Sequence, residues 1–430
     1  MRLLWLVPAV AGALAAQDNA ELLNRIAAME NRIKALEAEV QSLKAQPAAA
    51  AIPAAAPPAV PMQQPVPPEQ PAQQGPVTAP QLGGAGGAAA KVLNPDIAVI
   101  GDFVGGIGHP ANRPTPSLEM HESEVAFQEV IDPYARADFF ISFGEHGVDL
   151  EEGYMTFTAL PAGLQLRVGK MRAAFGKVNT LHNHVLPWID RPLVNQNLTG
   201  GEEGVNDAGL SLSRILPAPK GVFLEGTAQI FRGDSEGVFT ARRRNDVSTV
   251  AHLRAYHDIT ESTNLDIGGS YARGYSPFTD GSDGTNQLFG IDATLRWKPL
   301  QRAIYHSFVG RAEFIWARTD LGPARVKPFG YYVSGDYQFA RRWFLGGRFD
   351  RSQRGSCLPT FPETAANCET FQPGALLQDT GGSALLTYWP SEFSQIRGQL
   401  RRAAYGEGRT ANELLFQFIF SIGAHGAHPF

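Results

Sequence analysis

LLFQFIFSI, Leu414 to Ile422, places Leu414, Phe416, Phe418, Phe420 and Ile422 on one face of an extended chain, and Leu415, Gln417, Ile419 and Ser421 on the other. Side chains alternate across a strand, so one surface is aromatic and apolar and the opposite one is mixed. A barrel with lipid outside and water inside selects that pattern. A soluble edge strand could carry it as well, and the reading therefore turns on whether the rest of the chain repeats it.

It does. Phe289, Ile291, Ala293, Leu295 and Trp297 alternate with Gly290, Asp292, Thr294 and Arg296; Trp343, Leu345, Gly347 and Phe349 oppose Phe344, Gly346, Arg348 and Asp350. About sixteen such runs follow Asn94. Their connections fall into two classes that take turns. Tight ones include Asp132-Pro133, Pro161 to Gly163, Thr260 to Thr263, Lys298 to Gln301 and Ala340 to Arg342; long ones include Gly106 to Ser117, Arg172 to Val205, Gly233 to Val247 and Ser352 to Gln378. Sorting by rim is what an up-and-down barrel produces. The expected fold is all-β, an antiparallel transmembrane barrel of about sixteen strands over 94–430, wide enough to leave an aqueous channel.

The remainder of the chain fits an exported protein. Residues 1–16, MRLLWLVPAVAGALAA, read as a secretory signal peptide, too short for a membrane anchor. In 17–44, Leu22, Ile26, Met29, Ile33, Leu36, Val40 and Leu43 recur at alternating spacings of four and three, a heptad seam. Parallel association pairs Arg25 with Glu30, Arg32 with Glu37 and Glu39 with Lys44, so this segment is expected to oligomerise, as a trimer in preference to a dimer. Residues 45–93 are rich in Ala, Pro, Gln and Gly, with eleven prolines between Pro47 and Pro80, and read as an extended linker with no room for a plug domain. A net charge of -5 offers no footprint for nucleic acid.

The stretch from Leu150 to Leu216, with Leu164-x-Leu166-Arg167-Val168-Gly169-Lys170 leading into Phe175-Gly176 and later Glu203-Gly204, resembles the phosphate-selective porin O and P family. The resemblance implies a trimeric sixteen-stranded outer-membrane porin whose third long loop folds inward. That loop, 172–205, would carry Lys177, His182, His184, Asp190 and Arg191 at the constriction. On residues alone it could also lie on the outer rim, since Leu181, Val185, Pro187 and Trp188 could pack against either wall. Phe430 resembles the terminal aromatic signal read by barrel-assembly machinery.

Strand phase points Arg136, Arg167, Arg254, Arg296, Arg311, Arg348, Arg397 and Arg401 into the lumen, where guanidinium groups would orient anions by forked hydrogen bonds. Asp138, Glu225, Asp292, Glu313, Asp336 and Asp350 share those faces, so cross-wall pairing is the expected fate of many of them. His182-x-His184 supplies two imidazoles, short of the usual three or four ligands; these read as surface histidines, and neither a metal nor another cofactor is expected. Cys357 and Cys368 would pair as a local staple in an oxidising compartment. No nucleophile, base and acid set is visible, which argues against a barrel enzyme. The expected function is passive diffusion of small hydrophilic, anionic solutes by a homotrimer set among outer-membrane lipids and lipopolysaccharide, the coiled coil lying in the periplasm. A structural barrel tethered toward the cell wall through that coiled coil is the alternative.

Overall fold

The computed structural model describes residues 34, 95–109, 117–144, 147–279, 284–321, 324–355 and 375–423. Apart from Lys34, the segments read as signal peptide, coiled coil and linker lie outside these residues, as do both cysteines and 424–430. Among the described residues, seventeen strands follow one another. They are β1 (Asp96–His109), β2 (Leu118–Asp132), β3 (Ala135–Gly144), β4 (Gly147–Phe157), β5 (Leu164–Arg172) and β6 (Asn206–Ile215). Then come β7 (Val222–Phe231), β8 (Ser248–Thr260), β9 (Thr263–Tyr275), β10 (Thr285–Trp297), β11 (Ser307–Asp320) and β12 (Arg325–Val326). The last five are β13 (Phe329–Ala340), β14 (Trp343–Gly355), β15 (Leu376–Ser391), β16 (Ser394–Ala404) and β17 (Thr410–Gly423).

Each long strand pairs antiparallel with its sequence neighbours, and β1 closes on β17 from Ala98 opposite Gly423 to His109 opposite Asn412. The two-residue β12 is a spur on β11, whose long partner is β13. Sixteen long strands therefore form a closed barrel with no free edge, as the alternation and loop sorting predict. Two-residue turns at 133–134, 261–262, 341–342 and 392–393 share a rim with the two ends of the barrel chain. One connection departs from expectation: between β10 and β11 the chain uses 298–306. Arg302 takes a left-handed φ of 64° there, and its carbonyl accepts from Tyr305 N and His306 N, which adds an extra loop of backbone.

The faces are sorted by polarity in the reverse of a water-soluble fold. Outward side chains such as Ile291, Leu345, Phe349, Ile396, Leu400 and Leu414 are exposed, whereas Glu124, Asp292, Arg348, Gln399 and Gln417 are buried inside. An apolar belt around a polar interior is stable only in a bilayer.

The closing seam has its own chemistry. Gly101 lies opposite Phe420 and Gly105 opposite Phe416, and a Cβ at either glycine would fall 2.3 or 2.0 Å from the facing ring. The ring tips thus fill the space over bare backbone along the ladder that joins first strand to last. Gly105→Val is expected to displace Phe416 and destabilise the barrel by about 1–3 kcal/mol. The check is the denaturant midpoint of the folded, heat-modifiable band on gels; an unchanged midpoint would remove the seam's special role.

Candidate functional site: the loop inside the barrel

The connection between β5 and β6 is the third on the long-loop rim and turns into the lumen. Gly176 makes the entry possible: its φ of 61° is left-handed, its N–H donates to Ser270 Oγ at 2.9 Å, and a Cβ would collide with Glu313 on β11. Beyond it, two short 3₁₀ turns (Val178–Thr180 and Asn183–Val185) and a six-residue helix (Leu193–Leu198) pack a compact body inside the wall. Phe175, Val178, Leu186, Trp188 and Val194 are nearly solvent-free in that body. Trp188 meets Tyr332 of β13 edge-on, with ring centres 5.0 Å apart, beneath the Arg348 guanidinium. The loop packs inward and not on the outer rim.

Polar bonds tie this body to strands around the whole circumference. Ala174 N donates to Gln229 of β7, Ile189 N to Gln399 of β16, Leu193 N to Asp350 of β14, and Asn197 Nδ2 to Asp379 of β15. Asp190 is the hub: Arg348 donates to its carbonyl at 2.7 Å and its carboxylate at 2.9 Å, Arg401 Nε lies 3.1 Å away, and Gln399 donates to its other oxygen. Burial alone would push the Asp190 carboxyl up, but Arg348 and Arg401 outweigh it and hold it below the usual carboxylate range.

The named arginines divide between two roles. Arg348 spans Asp190 and Asp350, Arg397 donates to Leu186 O and Gln417, and Arg191 caps the carbonyls of Val178 and Leu181 within the loop. Arg136 bonds Asp138 on its own strand, and Arg311 bonds Asp336. Arg167 lies 5.2 Å from the Tyr154 ring centre. On β9, Asp266 gathers three cations: Arg254 at 2.7 Å, Lys177 at 3.4 Å and Arg296 at 3.9 Å.

His182 and His184 are not surface residues; both are buried against the wall. His182 Nδ1 lies 2.6 Å from Glu124 and 3.1 Å from Glu151, and Nε2 lies 2.9 Å from Glu152. Burial opposes protonation of this imidazole, yet the three carboxylates raise its pKa well above 6.5. The carboxylates escaped the sequence reading. Glu122 and Glu124 share the lumen phase of β2, a signal that was there to see. Glu151 and Glu152 both point inward because the β3–β4 register slips between Phe140 and Ile141, a bulge that strict alternation cannot foresee.

Among the described residues, two cavities beside the loop share Leu186 as a lining residue. The one toward the long-loop rim, about 110 Å³, is lined by Asp102, Glu119, Glu202 and Glu413 with His121, Arg191 and Arg401. The one toward the short-turn rim, about 380 Å³, is lined by Lys177, Arg254, Arg296, Arg311 and Arg397, with Asp336 the carboxylate among them. Acid gathers on one side of the loop and base on the other.

No protein-family model matches the chain. An uncharacterized protein of Aquifex aeolicus (strain VF5) is 28% identical over 363 residues, spanning 76% of this chain and 73% of its own. An anion-selective porin from Comamonas acidovorans aligns with a TM-score of 0.50 at 8% identity, over 76% of this chain and 98% of that one. The chain has the porin fold. A loop L8 deletion mutant of OmpT, an outer membrane protein of Vibrio cholerae, aligns equally well, with a TM-score of 0.50 at 10% identity over 76% and 99% of the two chains. At such identities the likeness is one of fold, and a porin-fold barrel is what the closed sixteen-strand wall and its inward third loop describe.

Proposed function

We propose that this chain is an outer-membrane porin that admits small hydrophilic anions by passive diffusion past the third loop, as a homotrimer with its short-turn rim in the periplasm. The observation that carries the reading is the inner vestibule, a cavity of about 380 Å³ whose lining holds five cationic side chains and Asp336, with Asp266 behind three of them as counter-charge. Cations fixed on a rigid low-dielectric wall concentrate anions and orient oxyanions through forked donors. Phosphate fits that chemistry, although Lys177 is the single lysine lining the vestibule. The heptad seam of 17–44 supports a trimer.

Planar-bilayer recording of purified protein tests this directly. Conductance steps in threes with an anion-selective reversal potential are expected in a potassium chloride gradient. An electrically silent barrel would overturn the porin reading in favour of a tethered structural barrel.

A further inference from the structure

We propose that Glu122 and Glu124 of β2 and His184 of the third loop bind a divalent transition-metal ion, with zinc(II) as the reference case, that ties the loop to the wall. One ligand atom from each of the three lies within 4.8 Å of the other two, and all three residues are buried. His184 Nδ1 and Glu124 Oε2 stand 3.8 Å apart, too far for a hydrogen bond. Two atoms that each sit about 2.0–2.2 Å from a common tetrahedral ion are about 3.4 Å apart, so a closure of a few tenths of an ångström would seat one.

Three further observations point to a cation. Glu122 is 6% exposed, and its Oε1 has no hydrogen-bond partner among the described residues, an expensive arrangement for a carboxylate unless something positive faces it. Glu122, Glu124, Glu151 and Glu152 lie together with two permanently charged cations, Arg172, which bonds Glu151 at 3.0 Å, and Arg191, which reaches the cluster through Asn183. With both imidazoles neutral, four carboxylates outnumber these two cations. Finally, Asn183 contacts Glu122 at 3.4 Å and also lines the outer cavity, so the site adjoins a path from the long-loop rim.

A second triad, Glu124, Glu151 and His182, shares the central carboxylate. Its Nδ1 already lies at hydrogen-bond distance from two carboxylates, so it serves to orient Glu124 from outside the metal sphere, as outer partners of metal ligands do. One imidazole with two carboxylates suits a borderline divalent ion more than calcium.

The probe is cobalt(II), titrated into untagged full-length protein folded in detergent. The chain carries His425→Ala and His428→Ala so that the tail imidazoles do not contribute. One equivalent per chain, with ligand-field absorption bands, is expected; His184→Ala should weaken binding by about tenfold or more while the heat-modifiable folded band persists. Absence of stoichiometric cobalt in the folded parent overturns the proposal whatever the variants do. So does binding that His184→Ala leaves unchanged.

Discussion

Asp190→Ala is expected to open the pore, raising single-channel conductance severalfold, and to lower barrel stability by about 2–4 kcal/mol. The reason lies in what the side chain leaves behind. Arg348 is buried and Arg401 partly so, and each uses Asp190 as a counter-charge. Removing it leaves Arg348 with Asp350 and Arg401 with Glu413 but takes away the acceptor their remaining N–H groups use, and cuts the tie between the loop and β14 and β16. A buried donor left without its acceptor costs more than the hydrogen bond contributes, which is why truncation is severe. Asp190→Asn, able to keep one hydrogen bond but no charge, should fall between. Unchanged conductance and an unchanged denaturation midpoint in Asp190→Ala would refute the hub role.

The same group gives a pH dependence with a definite sign. Its folded-state pKa is depressed below the ordinary 3.8, so its anchoring contribution is complete above that value and is lost as pH falls through the folded value. Acid should therefore loosen the loop in the parent protein, seen as open-channel noise below about pH 4. Asp190→Ala should show that noise at neutral pH already.

The second large effect concerns selectivity. Lys177→Glu with Arg296→Glu is expected to reverse the sign of the reversal potential in a salt gradient. Around Asp266 the parent carries three cations against one carboxylate, and the double variant changes the local charge by four units. At roughly 6 Å in water-like surroundings each unit is worth about 0.7 kcal/mol to a passing monovalent ion. Four units amount to about 3 kcal/mol, or roughly a hundredfold in relative ion occupancy before screening. Salt at 0.1 M has a Debye length of about 10 Å and will trim this, so the contrast is largest at low ionic strength. Lys177→Glu alone should give half the shift. A reversal potential indifferent to both changes would show that ions do not pass this vestibule.

Strand residues were the most legible part of the molecule. Leu414 to Ile422 and Phe289 to Trp297 each obey a period of two because lipid and lumen impose opposite demands on successive side chains, and that signal is local. The third loop was legible by length and ordinal position, but not in what its side chains do. Arg191 and Arg348 look alike in sequence, yet one caps carbonyls within the loop and the other clamps Asp190 from the wall. Which of these occurs depends on contacts between residues more than 150 apart, such as Asp190 with Arg348. The carboxylate cluster around His182 shows the same limit, since Glu124 and Glu152 reach one imidazole only after a bulge and an inward fold have both occurred.

The division of charge across the loop has one more consequence. Acidic side chains line the cavity above Leu186 and basic ones the larger cavity below it. Two fixed charges of opposite sign in series make a junction. Under one voltage polarity mobile ions of both signs are driven into it and accumulate; under the other they are swept out. Current through this barrel should thus depend on the direction of the applied field, and the sense of that rectification reports which rim faces which electrode.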